Sequence, residues 1–252
     1  MNVLNFLLLT ILIAPYFTFQ IHNIFTDNMV LQQGVENNLW GSSSGSSIKA
    51  TISGKTVEGK IQEGKFMLKL PILKPETTPL ILSVQELPSG IVKTFNNILV
   101  GELILCSGQS NMQWPITHSE NSQKFIEESN QFPNIRGYTV TPTQQSSPSE
   151  ILIGSGWQVT SSKVTGTYSA VCYHYARNFF KRYSVPIGIV MSSLGGTQIE
   201  RWMSKESTAV CGNNAPGQET LYNGMIHPIL NVFFRGMIWY QGESVSCLLL
   251  FN

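Results

Sequence analysis

The apolar run from Ile98 to Cys106 constrains the fold of this chain more than any other segment. Its near-continuous hydrophobic character fits a strand buried on both faces. The run stops at a small-residue turn, Ser107-Gly108, and Gln109 and Ser110 follow. A hydroxyl just past the carboxyl end of such a strand sits where open α/β sheets hold their ligands and their chemistry. A serine beside a Ser-Gly turn is, taken alone, most often only a turn residue. Support for Ser110 must therefore come from elsewhere in the chain.

The same run divides the hydrophobic pattern. Residues 21–97 read as all-β, with short apolar or alternating runs at 48–52, 65–70, 80–84 and 91–95 between Gly, Pro and Ser turns. Their spacing predicts a small β-sandwich-like module, with 41–47 as a Gly/Ser loop. Over residues 98–244 strands at 98–106, 135–140, 186–191 and 236–240 alternate with helices at 122–129 and 168–183. Val171, Tyr175, Phe179 and Arg182 recur at helical spacing in the second helix, and Thr167 or Ser169 can cap it. The fold class is α/β: a parallel sheet with crossover helices, preceded by the β module.

Charge excludes one class of partner. The net charge is +1, only 12% of residues are charged, and no Lys or Arg precedes Lys49. That is not the basic footprint of a nucleic-acid binder. Residues 1–20 are nearly all apolar up to Phe19, are interrupted by Pro15, and lack a basic residue near the start. Their length is that of a signal-peptide hydrophobic region. The competing reading is an uncleaved anchor, for which the run is barely long enough. No second run of that length follows, so no stable membrane span is expected. The expected destination is the secretory pathway, extracellular or lysosomal. Cys106, Cys172, Cys211 and Cys247 show no Cys-x-x-Cys spacing, and no metal site is expected. Four cysteines allow three pairings, and the sequence does not choose. There is no Asn-x-Ser/Thr sequon.

A serine nucleophile needs a base, an orienter for that base, and donors for the oxyanion. Donor candidates are visible. The strand ending at Ser193 is followed by Leu194-Gly195-Gly196-Thr197, and glycine after a strand lets backbone N–H groups approach a substrate. The strand from Gly236 to Tyr240 ends in Gln241-Gly242-Glu243, and the Gln241 side chain is a further donor candidate.

Taken together, these segments resemble the sialate O-acetylesterase family, whose catalytic domain is of the SGNH serine-esterase type. The matching stretches begin with Asp27-Asn-Met-Val-Leu-Gln32 and Cys106-Ser-Gly-Gln-Ser-Asn-Met-Gln113. Ser169-Ala-Val-Cys172, Pro186-Ile-Gly188 and Gly195-Gly-Thr-Gln-Ile-Glu-Arg-Trp202 follow, then Met225-Ile-His-Pro228 and Ile238-Trp-Tyr-Gln-Gly-Glu-Ser244. The resemblance places the nucleophile at Ser110 and oxyanion or substrate contacts at Gly195, Gly196 and Gln241. It leaves Glu200 and Trp202 open between substrate contact and a structural role. It implies cleavage of an O-acetylated sialic acid or another acetylated carbohydrate through an acetyl-enzyme, without metal or organic cofactor.

The same resemblance calls for a late His with an Asp just before it. The chain has one Asp, Asp27, and four histidines, His22, His118, His174 and His227, none preceded by Asp at three residues. After Ser244 the match stops, and 245–252 read as a divergent tail. The expectation is a shortened sheet without the catalytic His and Asp, hence weak or absent turnover. A non-catalytic truncated product or glycan-binding remnant is the alternative reading.

Overall fold

The computed structural model describes residues 18–209 and 218–243. The leader expected over residues 1–20 lies almost wholly outside them, as do Cys211, Cys247 and the 245–252 tail. The strand-rich first part comprises β1 (Gln20–Ile21), β2 (Val30–Gln32), β3 (Asn38–Ser42), β4 (Ser47–Ile52), β5 (Lys55–Lys60), β6 (Lys65–Lys69) and β7 (Glu76–Leu87). It leads into β8 (Val92–Gly108), then α1 (Ser110–Gln113), α2 (Ser122–Glu128), β9 (Ile135–Val140), β10 (Gly154–Val159) and α3 (Ala170–Tyr183). The remaining elements are β11 (Ile187–Ser193), α4 (Lys205–Ala209) and β12 (Gly236–Tyr240).

Among the described residues these strands make two sheets. β1, β3 and β6 form a three-stranded antiparallel sheet. The other nine form one mixed sheet in the order β10-β9-β11-β8-β7-β4-β5, with β2 and β12 also paired to β8. Alternation in β4 and β6 explains their placement. Ile48, Ala50 and Ile52 are buried while Lys49 is exposed, and Phe66 and Leu68 are buried between exposed lysines. The buried faces of both sheets meet in one core, where Leu39 and Leu68 share a cluster with Ile48, Leu82 and Val84.

The strand at the centre differs from expectation. Runs 91–95 and 98–106 are a single strand of 17 residues. The polar pair Asn96-Asn97 that interrupts the apolar pattern is a bulge: Leu80 pairs with Ile98 but Leu82 with Phe95, so the register shifts by one residue. Asn97 takes a left-handed conformation (φ 56°), which asparagine tolerates. Side chains from the 27–28 turn brace the bulge. Asp27 Oδ1 accepts the Asn96 N–H at 2.6 Å, and Asn97 donates to Asn28 Oδ1 at 2.7 Å. The single aspartate of the chain is thus spent on holding a strand.

β8 is long enough for two different ladders. Its first half pairs antiparallel with β7 and parallel with β2. Its second half pairs parallel with β11, from Ile187 opposite Glu102 to Ser193 opposite Gly108, and parallel with β12. The expected parallel strands are therefore adjacent as β9, β11, β8 and β12, but they belong to a larger mixed sheet that also contains β4, β5 and β7. β11 is buried along its whole length, as a strand covered on both faces should be.

α3 covers one face. Ser169 caps it by accepting the Cys172 N–H at 3.3 Å, and Ser184 ends it in a left-handed conformation. Its buried side is Ala170, Cys172, Tyr173 and Ala176. The stripe at Val171, Tyr175 and Phe179 lies beside that face, with Tyr175 42% exposed and stacked on Phe179. Helical spacing identifies a helix, but the packing partner selects the stripe. The structure pairs Cys106, near the end of β8, with Cys172, in the first turn of α3. Among the described residues no helix is long and apolar enough to cross a membrane.

Candidate active site

The chain leaves β8 through a turn stapled to both neighbouring strands. Gly108 has φ +137°, and a Cβ there would collide with the Tyr240 carbonyl oxygen, so glycine is required on both counts. The Gly108 carbonyl accepts the Leu194 N–H at 3.1 Å, just past β11. The buried Gln109 donates its backbone N–H to the Tyr240 carbonyl at 3.2 Å, at the end of β12. Ser110 follows as the first residue of α1 and is exposed. The candidate nucleophile thus sits where β8, β11 and β12 all end, the position open α/β sheets use for ligands.

Gly195 is brought to Ser110. A Cβ placed on Gly195 would lie 3.4 Å from the Ser110 Cα and Cβ, in van der Waals contact, so the two residues are neighbours in space. Its N–H is held by Gln113 Oε1 at 2.8 Å. Gly196, with φ +72°, faces open space. Among the described residues no backbone or side-chain acceptor takes the Gly196 N–H.

The other candidates are placed one layer away. Gln241 donates to the Thr197 carbonyl at 3.1 Å, tying the end of β12 to the glycine turn. Thr197 folds back onto the Leu194 carbonyl at 2.7 Å and accepts the Trp202 indole N–H at 2.9 Å. Trp202 is buried edge-on against Trp239, at 5.9 Å between ring centroids. Glu200 is also buried, and its carbonyl receives the N–H of Glu219 and of Met203. Trp202 is thus tied to the glycine turn through Thr197, whereas the Glu200 carbonyl joins Met203 and Glu219.

A residue not singled out beforehand completes the constellation. Glu243 accepts from the Gln109 side chain at 2.5 Å and from Asn111 at 3.3 Å, so one carboxylate clasps the residues on either side of Ser110. Gln109, Asn111 and Gln113 all act across long sequence separations. Their only signal in the sequence is their presence in the polar string around Ser110, which does not name their partners.

The histidines are engaged elsewhere. His22 is stacked on Trp40 at 4.6 Å and accepts the Ile24 N–H, and burial pushes its imidazole down to about 4. His174 lies edge-on to Phe125 within α3, with its pKa lowered by burial. His227 Nδ1 contacts the Ser149 carbonyl at 2.8 Å, and His118 meets the edge of Trp114. Among the described residues no imidazole is hydrogen-bonded to Ser110, and no group of three or more His, Cys, Asp or Glu could hold a metal ion.

Comparison with known proteins agrees with the motifs. A family described as carbohydrate esterase, sialic acid-specific acetylesterase, matches residues 100–247. Sialate O-acetylesterase of Pongo abelii is 31% identical over 216 residues, which is 78% of this chain and 41% of that protein. The Homo sapiens enzyme is 31% identical over 214 residues, 77% of this chain and 41% of its own length. A crystal structure of a carbohydrate acetylesterase from Xanthomonas citri superposes with a TM-score of 0.82 at 32% identity, covering 89% of this chain and 51% of that one. The chain spans less than half the length of these curated relatives.

Proposed function

The chain belongs to the sialic acid-specific acetylesterase family of carbohydrate esterases, and on that premise we propose that its site cleaves acetyl esters of a carbohydrate through Ser110. Ser110 Oγ attacks the acetyl carbonyl carbon, the ester C–O bond breaks, and the sugar leaves as its free hydroxyl. The acetyl group rests on Ser110 until water releases it as acetate. The observation that carries this reading is the convergence of the exposed Ser110 with the Gly195-Gly196 turn at the shared end of three parallel strands. The Gly196 N–H, which takes no acceptor among the described residues, would stabilise the charge that develops on the acetyl oxygen, whereas the Gly195 N–H is held by Gln113. The fold of this reading is an SGNH-hydrolase-like sheet with a β-sandwich-like module before it, and no cofactor takes part. The substrate is an O-acetylated sialic acid or another acetylated sugar.

One observation favours a second reading. Attack by serine needs a base, and the described residues hydrogen-bond no imidazole to Ser110. The alternative is a chain that binds acetylated glycan without turning it over. Hydrolysis of p-nitrophenyl acetate and of 9-O-acetylated sialic acid by the full chain, with Ser110→Ala as control, separates the two. Turnover abolished by the substitution supports the esterase, and equal rates in both proteins overturn it. The buried Cys106–Cys172 disulfide supports an oxidising compartment, in keeping with a secretory route to the exterior or the lysosome.

A further inference from the structure

Trp114 is the most unusual surface residue near the candidate nucleophile. Its side chain is 50% exposed, although tryptophan is highly buried on average. It is also pinned. The indole N–H donates to the His118 carbonyl at 3.2 Å, and the ring meets the His118 imidazole at 5.3 Å and 71°. The backbone beneath is fixed to α3, because the Trp114 carbonyl accepts the Ala170 N–H at 2.8 Å and Pro115 bridges to Ser169. An exposed ring held this way has its polar edge already satisfied and little rotamer freedom left to lose, so binding against its face costs little order.

Its position relative to Ser110 follows from helix geometry. Ser110 opens α1 and Trp114 is the cap residue just past its end, where ψ 114° turns the chain out of the helix. Residues four apart on a helix share a face, with Cβ atoms about 5–6 Å apart. The Trp114 side chain therefore departs from the backbone about one helical turn from that of Ser110, and its ring is then held by His118. Asn111 and Gln113, on the same short helix, carry amides that can hydrogen-bond hydroxyls, whereas an aromatic face with its negative quadrupole attracts the C–H face of a pyranose.

We propose that Trp114 is the platform on which the sugar ring of the ester is laid beside Ser110. This rests on the reading of Ser110 as the nucleophile toward a sugar ester, and it deepens that reading. The ligand class is a pyranoside presenting an apolar face of ring hydrogens, so that recognition comes from stacking and the ester, carried outside the ring, reaches the serine. The geometry gives Trp114 a part in choosing the substrate and no part in the chemistry.

The test uses the full chain and two non-hydrolysable probes, the methyl α-glycoside of N-acetylneuraminic acid and methyl β-galactoside. Binding is followed by saturation-transfer NMR and by the indole Nε1–H cross-peak that disappears in the Trp114 variants. At least one probe should bind and shift that cross-peak. Trp114→Ala should weaken binding roughly tenfold, with Trp114→Phe in between. Binding of both probes unchanged in Trp114→Ala and Trp114→Phe overturns the proposal. So does binding that leaves the Trp114 cross-peak in place, or no binding of either probe to the wild-type chain. Thermal melts of the variants separate loss of stacking from loss of fold, and the phenylalanine variant decides the matter if the alanine variant is unfolded. Hydrolysis of p-nitrophenyl acetate by the wild-type chain is scored separately. Sugar binding through Trp114 without hydrolysis retains the platform and removes the esterase reading, whereas hydrolysis with unchanged sugar binding in the variants does the reverse.

Discussion

The backbone N–H of Gly195 points at the side-chain oxygen of Gln113, 2.8 Å away across 82 residues of sequence. This bond fastens the turn after β11 to the short helix that Ser110 begins, and it occupies the Gly195 donor. Replacing Gln113 with Ala should leave the fold intact and release the turn. A bond of this kind contributes about 1 kcal/mol, so hydrogen exchange at the Gly195 amide should quicken by roughly fivefold. Gln113→Glu keeps an acceptor oxygen and should exchange like the wild type. NMR exchange at that single amide checks both outcomes.

Gly108→Ala should be far more damaging. The new methyl group must enter space held by the Tyr240 carbonyl, and alanine must adopt φ +137°. Both penalties fall on the pairing of β8 with β12, so the expected loss exceeds about 3 kcal/mol. Denaturation midpoints, or the soluble yield if the variant fails to fold, measure it. A variant with wild-type stability would show that the turn after β8 relaxes more readily than its contacts imply.

The Cys106–Cys172 disulfide closes a loop of 66 residues between β8 and α3. Constraining the unfolded chain to that extent is worth about 4 kcal/mol in the loop-entropy account. The double replacement Cys106→Ala with Cys172→Ala should therefore melt roughly 10 °C below the wild type. Both sulfurs are fully buried, so the folded protein should resist mild reductant, and its sensitivity should appear only on unfolding. Thiol labelling in native and denatured protein distinguishes these states.

His22 predicts how stability follows pH. In the folded chain its imidazole stays neutral down to about pH 4 because burial disfavours the cation, against an ordinary value of 6.5 when unfolded. Between those values the unfolded chain binds the extra proton, so stability is complete above pH 6.5 and falls as pH approaches 4. The loss over the window amounts to roughly 3 kcal/mol. Glu128 belongs to a lower range: its hydrogen bonds with Lys181 and Arg177 hold its pKa below the usual carboxylate value. His22→Asn keeps an acceptor for the Ile24 N–H without titrating in this range. Melting curves of this variant should be flatter than wild type between pH 6.5 and 4, and parallel curves would assign the acid sensitivity elsewhere.

Much of the segment from residue 98 onward was legible in the sequence because its strands are short apolar runs, of which β9 and β11 are buried along most or all of their length. β9 and β12 fall where their apolar runs lie, and the Ser169 cap of α3 follows from residue type. What stayed hidden depends on partners distant in sequence. Asn96-Asn97 looks like a break between two strands because a bulge needs Asp27 and Asn28 to stabilise it. Glu243 looks like one more polar residue after a strand, until the ends of β8 and β12 bring it to Gln109 and Asn111. The disulfide was open among three pairings, and only the docking of α3 on β8 selects one.

β8 also carries a consequence for how the molecule can be divided. A fragment beginning at residue 98 would start in mid-strand with neither β7 nor β2 beside it, and the N-terminal layer left behind would lose the 98–101 stretch on which β2 pairs. The same strand ends at the turn that presents Ser110, so the two halves should melt in one calorimetric transition. A domain swap or gene fusion that respects this molecule would have to inherit the strand whole.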